Sequence, residues 1–424
     1  MTDGTPSLPA SVVIVGAGHG GFNLALALRQ ARYAGAITLI GDEPDLPYQR
    51  PPLSKAALAA GAQTSALWHR PPDYYEKEGI TLRMGARVEA IDRAHRQVEL
   101  QGGERLSYDA LVLATGARNR RLAVPGVEKA GVLYLRTADE ALKLQALMPA
   151  AQRLVVVGAG FIGLEVAAVA RARGLEVTVL EREDRVLSRA LSPAMSALVE
   201  EVQRGLGTEL RFGAGVREIV GDEKVSGVLL QDGTLLPADL VLIGIGVEPN
   251  SELAQTAGLA VEGGILVDDR LGTSDPAISA IGDCAVHPNP FASQPIRVES
   301  VQNATDQARL VAKRIMGEQV SAYDAVPWFW SDQGPLKLQI AGLTQGHDTA
   351  IVQRGEAPGT GSVLCFRDGR FLGVESANRP ADHMAARQML ARGIALSPQD
   401  VGEGFDLKAY AKEALSKAAV APAA

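Results

Sequence analysis

The sequence predicts an α/β chain of two successive βαβ domains closed by a smaller α+β domain. Three observations predict it. A strand, glycine turn, helix, strand and acid follow one another from Ser11, the same succession returns from Arg153, and the composition changes near Val326. At 424 residues the chain is too long for one ordinary core. Its 46% hydrophobic and 21% charged content is a globular balance. A net charge of −7 argues against nucleic acid as a partner, because phosphate binding needs a basic surface.

The two cysteines, Cys284 and Cys365, stand far apart and outside any Cys-x-x-Cys pair. Neither a dithiol centre nor a metal site is expected from them, and low cysteine use fits a reducing cytosol. The first ten residues carry no cationic patch or long apolar stretch, and no apolar run approaches the length of a bilayer span. The expectation is a cytoplasmic chain with no membrane partner.

The first element is Ser11–Val15, a β-branched run of the kind buried in a parallel sheet. Gly16-Ala17-Gly18-His19-Gly20-Gly21 follows, then Phe22–Ala31 with apolar residues at helical spacing, then the strand Ala36–Ile40 ending at Gly41-Asp42-Glu43. Gly16 permits the tight turn, Gly18 removes a Cβ so that backbone can approach a pyrophosphate, and Gly21 lets helix and strand pack closely. The helix start offers N–H groups and a positive dipole end to the phosphates. Asp42 stands where a carboxylate can accept hydrogen bonds from ribose hydroxyls.

The second succession has Arg153–Val157 as strand, Gly158-Ala159-Gly160-Phe161-Ile162-Gly163 as turn, Leu164–Arg173 as helix, Glu176–Leu180 as strand and Glu181 as the acid. One such glycine pattern is weak; two, each with its strand, helix, strand and acid, predict two Rossmann-like dinucleotide-binding domains. An acid at Glu181 accepts bonds from a free ribose diol and repels a 2′-phosphate, which favours NADH over NADPH; Arg182 beside it softens that preference.

Further segments make the pattern specific. These are Pro51-Pro52-Leu53-Ser54-Lys55, Ala114-Thr115-Gly116, Tyr134-Leu135-Arg136-Thr137, Gly282-Asp283, Glu299-Ser300-Val301-Gln302-Asn303-Ala304 and Trp328-Phe329-Trp330-Ser331-Asp332-Gln333. On them the chain resembles the glutathione-reductase-like flavoproteins with two dinucleotide-binding domains. Within these it resembles the bacterial ferredoxin reductases of monooxygenase and dioxygenase systems, from about Ser11 to about Arg392. The resemblance implies FAD on the first domain and the nicotinamide nucleotide on the second. The domains would be 1–117 with 246–325 for FAD, 118–245 for NAD, and 326–424 for the C-terminal part.

Carried over by motif, Gly16, Gly18, His19, Gly20 and Gly21 would hold the FAD pyrophosphate. Asp42 and Glu43 would serve the adenosine ribose, with Val88 near the adenine and Arg136 near the phosphates. Arg50, Pro52, Ala114, Thr115, Gly116, Gly282, Glu299 and Ser300 would complete the FAD site. Asp283 would bond the ribityl chain, Val301 would meet the flavin pyrimidine edge, and Lys55 would lie beside the isoalloxazine. Lys55 could instead be a solvated surface lysine, and Asp283 a helix N-cap. On the second domain Gly158, Gly160, Phe161, Ile162, Gly163, Glu181, Arg182 and Gly246 would hold NADH. Glu165 would contact the nicotinamide end; the plain alternative is a first-turn acid stabilising the helix dipole. The residues implied in catalysis are Lys55, Glu165 and Trp330.

The chemistry expected is hydride transfer from NADH to FAD followed by single-electron transfer to a [2Fe–2S] ferredoxin that serves a cytochrome monooxygenase or a Rieske dioxygenase. Alternatives are a same-fold NADH oxidoreductase with another acceptor (rubredoxin, monodehydroascorbate or a quinone) and a low-turnover flavoprotein with an interaction role. Disulfide reductases of this fold carry a redox cysteine pair against the flavin, and Pro51–Ala57 has no cysteine. Cys284 reads as a small buried hydrophobe.

In the third domain, Leu336–Ala341, Thr349–Gln353, Ser362–Arg367 and Arg370–Glu375 read as short strands and Arg379–Gly393 as a helix. The resemblance places Trp330 by the flavin edge on the side that a transient, acidic redoxin approaches; Trp328 reads as a core aromatic. The family pattern continues with Tyr-Asp after Ser-Asp-Gln, whereas this chain has Gly334-Pro335. Ser300–Gly317 reads as a helix carrying Arg309, Lys313 and Arg314. Such a helix can steer an acidic partner or be simply a solvated face. A monomer or weak dimer is expected, and the alanine-rich stretch from Ala411 is expected to fray.

Overall fold

The computed structural model describes residues 8–420, with side chains through 417. The chain divides into two compact units. One is built from the chain up to Arg50, Gln63–Arg118 and Val247–Ala325; the other from Pro51–Ala62, Asn119–Gly246 and the chain from Val326.

The first unit is organised by a five-stranded parallel sheet in the order Ile278–Ala280, Ala110–Leu113, Ser11–Val15, Ala36–Gly41, Ile80–Met84. Val12 to Val15 are buried, as the β-branched run requires of a strand covered on both faces. The helices His19–Gln30 and Val301–Ile315 belong to this unit. A small antiparallel sheet, Val88–Asp92, Gln97–Leu100 and Arg105–Ser107, accompanies them.

The second unit repeats the design with Glu209–Arg211, Glu176–Leu180, Arg153–Val157, Leu240–Ile243 and Val132–Leu133 in one parallel sheet. Its C-terminal part is a five-stranded antiparallel sheet, ordered Trp328–Gln333, Leu336–Gly342, Arg370–Ala377, Gly361–Arg367, Thr349–Arg354. The helix Pro380–Ala391 buries Ala385, Ala386 and Met389 against Leu364, Phe366 and Val374 of that sheet. Gln333 pairs with Leu336 across a two-residue hairpin in which Gly334 has φ +63°. Glycine at the first central position followed by proline suits a type II′ turn, so the departure at 334–335 builds a tight hairpin.

Both glycine-turn helices begin three residues earlier than their apolar spacing suggests, at His19 and at Phe161. Their N-caps are Gly18 and Gly160 in extended conformation with no side-chain cap bond. Glu165 therefore falls on the second turn, not the first. The alanine-rich end forms the helix Leu407–Val420; residues 421–424 lie outside the described residues, as do residues 1–7. Among the described residues no helix is long and apolar enough to cross a membrane.

Candidate functional site

The first glycine turn is fixed by backbone contact. Gly16 has φ +111°, and a Cβ there would lie 2.1 Å from the Ala114 carbonyl oxygen; one at Gly21 would lie 1.9 Å from the Gly16 oxygen. At Gly18 a Cβ would meet only Arg50 Nε, 4.0 Å away, so the space before the helix start is open. The uncapped N–H groups of that helix face no side-chain acceptor, which is the chemistry of an anion cradle.

Arg50 stands over this opening in a fixed pose. Its Nη2 lies 2.5 Å from Glu43 Oε1, its Nη1 donates to Tyr48 Oη at 3.1 Å, and Tyr48 Oη donates to Glu43 Oε2 at 2.5 Å. Burial pulls on the guanidinium, but Tyr48, Glu43 and Asp283 more than offset it and favour the cation. Glu43 is thereby committed to Arg50 and Tyr48, whereas Asp42 is exposed. His19 opens the helix with its ring edge against His69, which stacks on Phe22 at 4.2 Å. Burial lowers His69 to about 4, so its ring is neutral.

Ala114, Thr115 and Gly116 border the same opening, with Thr115 Oγ1 donating to the Asn250 carbonyl at 2.6 Å and Asn250 Nδ2 returning a bond to Thr115 O at 2.9 Å. The Gly282 N–H donates to Gln307 Oε1 at 2.7 Å. Asp283 lies inside the short 3-10 turn Gly282–Cys284, whose N-cap is Ile281, so the capping reading of Asp283 does not hold. Arg297 pairs with Glu299 at 2.6 Å, and Ser300 caps the helix that starts at Val301 by accepting from Asn303 N at 3.0 Å. Val88 opens its small antiparallel strand.

In the second unit, Gly158 has φ +103° and a Cβ there would lie 2.5 Å from Gly244 O; one at Gly163 would lie 2.4 Å from Gly158 O. Gly160 has only Gly244 O, at 3.7 Å. Glu181 is held in place, its Oε2 accepting from Ala159 N at 2.8 Å and its Oε1 from Glu183 N at 3.0 Å. Arg182 is 85% exposed and lies 3.4 Å from Glu183. Phe161 packs on Phe329 at 4.5 Å, and Ile162 leaves 41% of its surface open. Gly246 has φ +100°. Arg136 precedes the capped helix Ala138–Leu147, its N–H donating to Glu140 Oε2 at 2.6 Å.

Lys55 and Glu165 meet in the same unit. Lys55 Nζ lies 2.7 Å from Glu165 Oε2, with the lysine 23% and the acid 3% exposed. The same Oε2 accepts from Ser54 Oγ, and Oε1 accepts from Ser331 Oγ at 2.7 Å. A buried carboxylate is tolerable because its charge is paired and its oxygens are bonded. Lys55 is therefore not a solvated surface lysine, and Glu165 is not an acid serving only the helix dipole. Ser54 and Ser331 escaped the sequence reading. One signal existed for Ser331: in Trp328–Gln333 alternate residues face opposite ways, so Ser331 and Gln333 point inward if Trp330 does not. Both are fully buried, whereas Trp330 is partly exposed.

Trp328 is a partly exposed aromatic, with Arg387 over its ring at 4.2 Å and Trp330 at 5.6 Å. The basic helix face is smaller than expected. Arg314 turns inward to Ser279 Oγ and the Arg270 carbonyl, and Arg309 pairs with Asp306 at 3.2 Å. Cys284 and Cys365 are both buried, and burial pushes both thiols up. Among the described residues no group of His, Cys, Asp and Glu could hold a metal ion.

Residues 10–308 match the Pyridine nucleotide-disulphide oxidoreductase family, and residues 328–411 match the Reductase C-terminal family. The chain is 50% identical to rhodocoxin reductase of Rhodococcus erythropolis over 94% of its own length and 93% of that protein. A crystal structure of the ferredoxin reductase for the CYP199A2 system from Rhodopseudomonas palustris superposes with a TM-score of 0.92 at 48% identity, covering 95% of this chain and 100% of that one. The covalent putidaredoxin reductase–putidaredoxin complex gives a TM-score of 0.92 at 41% identity, over 97% and 99% of the two chains.

Proposed function

The chain belongs to the pyridine nucleotide-disulphide oxidoreductase family, and from that premise we propose that it is an FAD-dependent ferredoxin reductase, passing electrons from NADH to a ferredoxin-type redoxin. The observation that carries this reading is the pair of open, uncapped glycine cradles, one in each unit, where a Cβ would strike backbone at Gly16, Gly21, Gly158 and Gly163. The residues fit two dinucleotides. The segment Pro51–Ala57 supplies no cysteine, so the disulfide chemistry of the wider family has no nucleophile there.

When bound, FAD accepts a hydride from NADH and releases its electrons singly. The protein's part is to bind and orient. Gly16, Gly18, His19, Gly20 and Gly21 leave room for the FAD diphosphate at the helix start, and Arg50, held by Glu43 and Tyr48, supplies a fixed cation there. Asp42 takes the adenosine ribose. Asp283, Val301, Ala114 and Gly116 serve the rest of the cofactor. Glu181 takes the ribose of NADH, and its two backbone bonds aim it without the protein having to reorganise. Glu165 with its serine donors keeps the Lys55 side chain in one pose, and that cation would serve the flavin.

The redoxin is a [2Fe–2S] protein of acidic surface, bound transiently on the face that carries Trp330, serving an oxygenase in the cytoplasm. The reductase is a monomer or weak dimer. Functionally, 118–245 is the nicotinamide part and 326–424 the docking part.

Purification tests the reading directly. The protein should be yellow, NADH should bleach it within the turnover time, and a [2Fe–2S] ferredoxin should then be reduced with saturation. A product that stays colourless after FAD is added overturns the flavin reading. Turnover with a quinone but with no redoxin moves the acceptor to the alternative class.

A further inference from the structure

We propose that Gln333 and Gln203 are positioning residues for hydride transfer: with Ser331 they form a buried hydrogen-bond relay of fixed direction that aims the Glu165 carboxylate, and through it the Lys55 ammonium. The inference rests on the flavin reading of Lys55 and gives a role to side chains that lie outside both glycine fingerprints.

The relay starts at a backbone atom. Gln203, on the helix Pro193–Gly205, has its Nε2 3.1 Å from the Leu164 carbonyl oxygen and 3.0 Å from Gln333 Oε1. A carbonyl can only accept, so the Gln203 atom that faces Leu164 must be the amide nitrogen. The second hydrogen of that nitrogen requires an oxygen from Gln333, which turns the Gln333 nitrogen to Ser331 Oγ at 3.3 Å. Ser331 has a single hydroxyl proton. With Gln333 donating to its oxygen, that proton is directed to Glu165 Oε1, 2.7 Å away. Thr208 Oγ1 closes the far end by donating to Gln203 Oε1 at 3.3 Å. Gln203, Gln333 and Ser331 are fully buried, so bulk water does not compete for these bonds.

What the relay controls is a torsion with little preference of its own. The last torsion of a glutamate joins an sp3 to an sp2 carbon and is broad. Glu165 Oε2 is taken by Lys55 Nζ at 2.7 Å and by Ser54 Oγ, while Oε1 accepts from Ser331 alone among the described residues. Without the Ser331 proton one oxygen of a buried carboxylate is bare, and the group is free to turn. Lys55 would follow, because its ammonium sits on a flexible four-carbon stem and its other acceptor is the Pro51 carbonyl at 3.2 Å. A cation that serves the flavin loses rate when it is displaced by about 1 Å. The strand Trp328–Gln333 suits this duty: Ser331 and Gln333 share one face, and their ladder pairs with Leu338 and Leu336 hold both backbones.

The test uses the FAD-loaded protein and stopped-flow bleaching by NADH, which separates the limiting rate of flavin reduction from the apparent dissociation constant of NADH. Ser331→Ala should lower the limiting rate per bound FAD by about tenfold and leave the dissociation constant unchanged. Ser331→Thr, which keeps the hydroxyl, should recover most of the rate. Gln333→Met keeps Ser331 but removes the amide that orients it, and should slow the limiting rate severalfold. A parent-like limiting rate in either Ser331→Ala or Gln333→Met overturns the relay. So does a folded Ser331→Thr protein as slow as Ser331→Ala, or a loss that appears in the dissociation constant instead of the rate. If Ser331→Ala does not fold, Gln333→Met decides. A parent protein that binds FAD but is not bleached by NADH overturns the reductase reading, and the relay with it, before any variant is compared.

Discussion

At the scale of single residues, the glycines were legible and the polar partners were not. Gly16, Gly21, Gly158 and Gly163 are each dictated by backbone that would collide with a Cβ, and a short local motif carries that requirement. Glu165 is different, because its partners Ser54 and Ser331 stand 111 and 166 residues away and no local pattern announces them. Glu181 lies between these cases: the acid was legible, its two backbone donors were not. The geometry gives a prediction. On the proposed nucleotide reading, Glu181→Ala removes a carboxylate that would accept from the ribose diol and repel a 2′-phosphate, so NADH affinity should fall by about tenfold or more while NADPH affinity falls less or rises. Equal losses in the two titrations would show that Glu181 does not read the ribose. His383 gives a second. It is 1% exposed, with both ring nitrogens unpartnered, and burial first and the Arg387 charge second lower it to about 4. An unfolded histidine titrates near 6.5, so between pH 6.5 and 4 the unfolded chain takes up a proton that the native state refuses. Stability should be full above that window and fall as pH drops through it, by up to about 3 kcal/mol. His383→Phe should flatten this part of the profile in urea unfolding at pH 7 and pH 5; an unchanged slope would remove His383 as the cause.

At the scale of elements, the strands that flank the two glycine turns were read within a residue because burial on both faces demands uninterrupted apolar runs, whereas the parallel strands Ile80–Met84, Glu209–Arg211, Leu240–Ile243 and Val132–Leu133 were not read. The helix starts were misplaced by three residues because the caps are backbone, Gly18 and Gly160, and leave no side-chain signature. The two small antiparallel sheets, 88–107 and 216–237, were missed: their strands are short and carry charged residues such as Glu89, Glu99 and Arg217. The helix Pro193–Gly205 also went unread, although its start is one of the better built. Ser192 caps it by accepting from Met195 N at 3.2 Å, while its own N–H and hydroxyl donate to the buried Glu375, which also accepts from Thr344 at 2.7 Å. Burial pushes the Glu375 carboxyl up, and those donors hold it against that pressure. Replacing it with an apolar residue strands an N–H and two hydroxyls in the interior. Glu375→Leu should cost about 2–4 kcal/mol in urea unfolding, and Glu375→Gln distinctly less, because the amide oxygen still accepts. Equal costs would mean that volume, not hydrogen bonding, is what the site requires.

At the scale of the whole molecule, the two nucleotide domains and the α+β part were legible from their patterns, but the grouping of segments was not. Pro51–Ala62 leaves the unit that holds the first glycine turn and joins the second, where Gln145 Nε2 donates to Ala57 O at 2.9 Å and Ala59 O at 2.6 Å. The chain from Val326 belongs to that unit as well, so the C-terminal part completes interiors begun elsewhere in the sequence. Ser331 satisfies Glu165, Gln333 accepts from Gln203 at 3.0 Å, and Glu375 holds the Ser192 cap. A chain ending at 325 would lose all three at once. It would leave a buried carboxylate short of a donor, a buried amide short of one of its two acceptors and a helix start without its anchor, each a cost of about 1–3 kcal/mol against a total stability of about 5–15 kcal/mol. Such a truncation should therefore fail to yield a cooperatively melting protein, rather than yield a stable reductase that lacks only redoxin turnover. A soluble 1–325 chain that binds FAD, melts in one sharp transition and is still bleached by NADH would show that the C-terminal part is an appendage to the fold and that these contacts are dispensable.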